Sequence, residues 1–168
     1  MTTTASALSE DDRRVLAVVG HYGAKDTHLG ADETPFFPFM SEGIEVRLVR
    51  VEIKTGTFVV DLRSQAGGVL GRHRHRGSVS ATTLAGTWNY LEYDWVAGPG
   101  DLVQEFPGTI HTLNVNPGAY IRFTNDGTLE FLYDDDTLQH SYDAWNFVDL
   151  YQQFCESTGQ PFNEHIFF

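Results

Sequence analysis

The stretch Gly67-Gly68-Val69-Leu70-Gly71-Arg72-His73-Arg74-His75-Arg76-Gly77 decides the reading of this chain. It has the look of a strand bounded by glycine turns. Successive side chains on a strand point to opposite faces, so His73 and His75 share one face and Arg72, Arg74 and Arg76 the other. Two imidazoles so placed hold one metal ion without backbone strain, and imidazole suits Zn, Cu, Fe and Ni. His111 opens another predicted strand, just after the turn at Pro107-Gly108, and makes a third ligand. The competing reading is a basic surface strand with two solvated histidines.

Working outward, the period-two signal recurs on both sides. Ile44, Val46 and Leu48 alternate with Glu45 and Arg47, and Val49, Val51 and Ile53 continue the run with an irregularity near Leu48-Val49. Further strands are predicted over 57–63, 69–75, 79–84, 87–95, 101–106, 110–115, 119–124 and 128–133. Glycine, proline and asparagine turns separate them, at Gly67-Gly68, Gly86, Gly98-Pro99-Gly100, Asn116-Pro117-Gly118 and Asn125-Asp126-Gly127. Nine short strands with no helix between them point to a β-sandwich or barrel.

The flanks differ. Ser9 caps a predicted helix with Val15, Leu16, Val18 and Val19 as its apolar stripe and Gly20 as its end. Residues 1–8 are expected to fray. Residues 21–43 read as an irregular arm that packs Phe36, Phe37 and Phe39. Residues 142–157 return to helical spacing, with Trp145, Val148, Tyr151 and Cys155 on one stripe, Phe147 and Phe154 beside it, and Gly159 as the stop. The expected organisation is one domain: helix and arm over 1–43, barrel over 44–133, helix and tail over 134–168.

Composition narrows the function. The 168 residues carry 11 basic and 23 acidic groups, a net charge of −12, with 41% hydrophobic and 13% aromatic residues. After residue 76 only Arg122 is basic, against 13 acidic residues. That balance speaks against nucleic acid as a partner. No apolar run approaches a membrane span. One cysteine, Cys155, allows no internal disulfide and fits a reducing compartment, so the cytoplasm is expected. The run Asp134-Asp135-Asp136 reads as a solvated turn, and His21, His28, His140 and His165 as ordinary histidines.

The spacing resembles the cupin family. Gly67, five intervening residues, His73, His75 and Gly86 follow its first motif, and Gly100, Gly108 and His111 its second. Pro107 is shifted by one position. Val115 stands at the asparagine position, between Asn114 and Asn116, and Val79 replaces the glutamate that is the usual fourth ligand. The resemblance covers roughly residues 44–133 and implies an all-β cupin, a double-stranded β-helix or jelly-roll barrel, with short N-terminal and C-terminal helices. A substitute for the glutamate follows if strands 79–84 and 87–95 form a hairpin on Ala85-Gly86. Residue 79 then pairs with 92, and cross-strand partners share a face. Glu92 would lie beside Val79 at the metal as ligand or base, with Trp88 and Tyr90 lining the same interior. A register slip of one residue puts Glu92 on the surface instead.

A narrower resemblance rests on three strings, 71–77, 86–95 and 107–113: Gly-Arg-His-Arg-His-Arg-Gly, Gly-Thr-Trp-Asn-Tyr-Leu-Glu-Tyr-Asp-Trp and Pro-Gly-Thr-Ile-His-Thr-Leu. They are similar to those of the 2,4'-dihydroxyacetophenone dioxygenase group of cupins. This implies a non-haem Fe(II) dioxygenase, with Zn, Ni or Mn as alternative metals. Its reaction would cleave an aromatic α-hydroxyketone to an aryl carboxylate and formate. The implied ligands are His73, His75 and His111, with Glu92 as ligand or base and Val79, Trp88 and Tyr90 at the substrate. The implied partners are a small aromatic substrate and O2. Alternatives are a non-enzymatic cupin that senses or binds metal or ligand, and a β-diketone-cleaving dioxygenase. The apolar ends, Phe36 to Phe39 and Ile166-Phe167-Phe168, suggest a homodimer, or else packing within the chain.

Overall fold

A computed structural model describes residues 8–23 and 26–168; the expected fraying over the first residues lies outside this range, save for Leu8. Helix α1 spans Glu10–Tyr22. The strands are β1 Phe37–Pro38, β2 Ile44–Val51, β3 Phe58–Ser64, β4 Gly68–His75, β5 Val79–Ala85, β6 Trp88–Tyr90, β7 Leu102–Glu105, β8 Ile110–Val115, β9 Ala119–Asn125, β10 Leu129–Leu132 and β11 Leu138–Tyr142. Helix α2 is Ala144–Thr158, and a 3-10 turn, Glu164–Ile166, closes the chain.

Six strands form one antiparallel sheet in the order β1-β2-β3-β9-β5-β7, and five form the other in the order β11-β10-β4-β8-β6. From β3 to β10 the chain alternates between the sheets at every step, which is the double-stranded β-helix expected from the sequence. The apolar faces meet in a shared core that includes Leu48, Val51, Leu62, Leu70, Leu113, Ile121 and Phe131. The irregularity expected near Leu48-Val49 is a bulge: β2 pairs Leu48 with Val60 and Arg50 with Val59. It lets Leu48 and Val51 both face inward although they are three positions apart.

The hairpin expected at Ala85-Gly86 does not form. β5 pairs with β9 and β7, and β6 pairs with β8, so Gly86 carries the chain from one sheet to the other. It has φ +65°, and a Cβ there would lie 2.5 Å from the Ala119 Cα. Only glycine tolerates both conditions. The strand expected over 87–95 ends at Tyr90, because the chain turns back and Trp88 exchanges backbone hydrogen bonds with Ala97. Two short strands, β1 and β11, lie where none was expected.

The termini also refine the expectation. α1 is capped by a reciprocal Ser9–Asp12 pair and runs through Gly20 to Gly23, but none of its residues is buried. Val15, Leu16, Val18 and Val19 are all exposed, so the stripe read from their spacing meets no core. In α2 the buried face is Ala144, Phe147, Tyr151 and Cys155; Trp145 is exposed, since Phe147 and not Trp145 turns toward Phe39 and Phe58. Phe37 stacks on Tyr151 with ring centroids 6.4 Å apart. The tail bridges Phe167 to Val51 and buries Ile166. The apolar ends that suggested a dimer are therefore largely covered within the chain. Among the described residues no helix is long and apolar enough to cross a membrane.

Candidate metal centre

The imidazoles of His73, His75 and His111 converge inside the barrel, with one ligand atom from each lying within 4.8 Å of the others. All three are buried. A bulge makes this geometry. In the β4–β8 ladder Leu70 pairs with Leu113, Gly71 has no partner, and Arg72 pairs with Thr112. Had the alternation run on from Leu70 unbroken, Arg72 and Arg74 would point into the core. The extra residue reverses the parity, so His73 and His75 point inward and His73 sits directly opposite His111. The Gly71 carbonyl has a second use: it accepts a hydrogen bond from His73 Nδ1 at 2.7 Å, which leaves Nε2 as the free ligand atom. The arginines take the outer face as expected. Arg74 and Arg76 both pair with Glu130, and Arg72 with Asp136.

The carboxylate at this cluster is Glu105, a residue the sequence reading did not single out. It is the antiparallel partner of Val79 on β7. Its Oε2 lies 3.3 Å from His75 Nε2 and 3.4 Å from His111 Nε2. Its Oε1 accepts the Tyr90 hydroxyl at 2.5 Å. Glu92 instead sits in the turn after β6, where it is exposed and accepts the Thr112 N–H at 2.8 Å. A cross-strand neighbour of Val79 does lie at the cluster, but it is Glu105 on β7 and not Glu92, because β5 and β6 belong to different sheets. No local signal in the sequence marks it: the apolar Leu102 and Phe106 lie on the exposed face, and only Val103 shares the inward parity of Glu105.

The electrostatics favour a metal over a proton. Burial pushes His73 down to about 4 and His111 down to about 3. Burial, then the neighbouring His73 and His111, lower His75 as well. All three are neutral ligands near pH 7. Burial raises Glu105 to about 7 despite the Tyr90 hydrogen bond, and burial followed by Glu105 keeps the Tyr90 phenol protonated. Because the imidazoles are uncharged, their contacts with Glu105 are not ion pairs. His111 Nε2 and Glu105 Oε2 are buried with no hydrogen-bond partner. Unpartnered buried polar atoms are costly; a divalent cation gives the His111 nitrogen a partner and the neighbouring Glu105 oxygen a counter-charge. The donor set therefore fits a metal ion.

Two cavities meet here. An open cleft of about 540 Å3 lies where the two sheets end in β6 and β7, lined by Tyr93, Trp95, Leu102 and Phe106 with Tyr90, Glu105 and His111 at its base. A second space of about 40 Å3 lies in the barrel behind His73 and His75. Tyr90 borders both, and its ring stacks on His111 at 3.8 Å. Trp88 and Val79, expected beside the substrate, line neither. Trp88 packs behind Tyr90 and donates its indole N–H to Thr83, and Val79 is buried under Glu105.

Comparison with solved structures agrees with this architecture. An RmlC-like cupin from Ralstonia eutropha JMP134 is 28% identical over 84% of this chain and 94% of its own, with a TM-score of 0.78. A protein with a cupin-like fold from the same organism is 23% identical over 70% of this chain and 76% of its own, with a TM-score of 0.65. An acetylacetone dioxygenase from Acinetobacter johnsonii is 17% identical over 77% of this chain and 93% of its own, with a TM-score of 0.71. Comparison with curated proteins gives no match. Residues 24–130, more than half of the sequence, match the family model of the ChrR cupin-like domain, and the chain belongs to that cupin family.

Proposed function

We propose that this cupin is a ferrous dioxygenase that cleaves a carbon–carbon bond beside the carbonyl of a neutral aryl α-hydroxyketone. The observation that carries the reading is the buried three-imidazole cluster facing the unpartnered Glu105 Oε2 at the base of an aromatic cleft. The cleft volume lies within the usual range for a small-molecule site. The reaction balances without a co-reactant: Ar–CO–CH2OH and O2 give Ar–COOH and HCOOH, one bond breaking between the two oxygenated carbons and one oxygen atom passing to each.

His73, His75 and His111 would hold the ion, which when bound supplies Lewis acidity and the electron chemistry that dioxygen needs. Glu105 takes the role of base. In the metal-free protein burial pushes its carboxyl up to about 7, toward the range in which general bases work best. Tyr90 donates to Oε1 and so keeps Oε2 turned to the cleft side of the imidazoles. Tyr93, Trp95 and Phe106 offer an aryl ring its contacts. No arginine faces the cluster to hold a carboxylate, which favours a neutral substrate. A cytoplasmic setting fits the single buried Cys155.

The test is oxygen uptake with formate detection, using anaerobically iron-loaded protein and a panel of aryl α-hydroxyketones and β-diketones, acetylacetone included. Release of formate from the hydroxyketones is expected. In the Glu105→Gln protein, uptake should fall about 100-fold or more while bound iron stays. Cleavage of β-diketones alone would move the assignment to that substrate class. Tight zinc with no oxygen uptake by the iron form would replace it with the sensor or binding reading.

A further inference from the structure

We propose that the two cavities divide the two substrates, with dioxygen in the apolar barrel space behind His73 and His75 and the organic substrate in the β6–β7 cleft. This assignment rests on the dioxygenase reading above and says where each reactant approaches.

Size is the first argument. The barrel space measures about 40 Å3. One water needs about 10–15 Å3, whereas an apolar cavity that admits benzene is about 150 Å3. The space therefore fits a diatomic molecule and not an aryl ring. The cleft, at about 540 Å3, fits the ring.

Polarity is the second. Apolar side chains make most of the barrel lining, among them Phe39, Val46, Val60, Leu62, Leu70 and Leu129. Its polar members are His73, His75, Tyr90 and Asn125. His73 Nδ1 is bound to Gly71 and the Tyr90 hydroxyl to Glu105. The Asn125 amide reaches the Phe123 carbonyl at 3.4 Å. Few groups remain to hold the two to four hydrogen bonds an ordered water needs. A small apolar molecule loses nothing by entering, and there it touches His73 and His75, whereas the cleft reaches His111 and Glu105. The Tyr90 ring, stacked on His111, stands between the compartments. The organic molecule can then sit against Glu105 without displacing dioxygen.

Methyl relaxation under dissolved oxygen tests this on the metal-free protein, with no turnover involved. The methyls of Val46, Val60, Leu62 and Leu70 should relax faster than those of Leu48 and Ile121, which are also buried but lie outside the cavity. Equal enhancement in both sets would overturn the proposal. A second arm uses Val60→Leu, which fills the space. In the iron-loaded protein the KM for oxygen should rise several-fold, with iron content and the KM for the hydroxyketone unchanged. A raised KM for the organic substrate with an unchanged one for oxygen would place the organic molecule in the barrel and overturn the division. If the wild-type protein takes up no oxygen with any panel member, the dioxygenase reading fails and this assignment with it. An active wild type with equal relaxation in both methyl sets removes this inference alone.

Discussion

Two buried clusters of ionisable groups, one around Asp61 and one around the three histidines, are finished differently. In the six-stranded sheet Asp61, fully buried on β3, accepts from Arg47 through two nitrogens, from Arg122 through two, and from the Tyr120 hydroxyl. Both of its oxygens are used. Burial alone would raise its pKa, yet Arg122, Tyr120 and Arg47 together hold it below the usual carboxylate range. In the five-stranded sheet and the facing β7, three imidazoles and Glu105 are also buried, but His111 Nε2 and Glu105 Oε2 have no hydrogen-bond partner. The first cluster is complete within the protein. The second is completed only by something that binds. Burial of charge alone does not mark a site; burial with valences left open does.

That contrast can be broken in several ways. The largest effect should come from His111→Ala. Bound metal, measured after anaerobic loading, should fall by more than the about 10–100-fold that loss of an outer-shell partner costs, while far-UV circular dichroism of the metal-free protein stays unchanged. Unaltered metal content would remove the site.

Next, Asp61→Asn should leave metal content intact and destabilise the fold by about 3–5 kcal/mol, because Arg47 stays buried without its anion. Chemical denaturation measures this, and a loss below about 1 kcal/mol would mean that the cluster does not behave as a buried ion pair.

A smaller effect is expected from pH. In the metal-free protein the unfolded histidines take up protons near 6.5, while folded His73 and His111 wait until about 4 and about 3. Stability therefore falls as pH drops below about 6.5. Glu105 acts oppositely: held up at about 7 when folded, it gains stability for the fold as pH falls from 7 toward 4.5. Three imidazoles outnumber one carboxyl, so the net change from pH 6.5 to 4.5 should be a loss, and Glu105→Gln should steepen it. Asp61 is silent in this window because its pKa lies below 3.8. A flat denaturation midpoint from pH 7 to 5 would contradict the neutral, buried imidazoles.

The smallest effect belongs to Glu92→Gln. With Glu92 exposed on its turn, metal content should not change and stability should stay within about 0.5 kcal/mol. A loss of metal would return Glu92 to the role first considered for it.

The strands were legible because strand period and turn chemistry are local. Ile44 to Leu48 alternate, the glycine turns fall between strands, and even the β2 bulge showed as a break in the run of valines. The helices were legible in position but not in their buried faces. α1 has the spacing of a packed helix and no partner, and in α2 Phe147 displaces Trp145 from the core. Spacing gives a stripe; what covers the stripe is decided elsewhere in the chain. For the site, the His-x-His spacing and the motif position of His111 were visible, whereas Glu105 was not, because its place depends on a strand pairing that is remote from the histidine motif.

By itself, then, the sequence determined the all-β architecture, its breakpoints and the presence of paired histidines on one strand face. Each of these follows from steric and hydrogen-bonding preferences within a few residues. Only the tertiary structure decided which face that was, through the unpaired Gly71 in the β4–β8 ladder, and which carboxylate joined the histidines, through the pairing of Val79 with Glu105. A period of two says that neighbours alternate. It does not say which strand lies alongside, and from β3 to β10, where the chain changes sheet at every step, the strand alongside is never the next one in sequence.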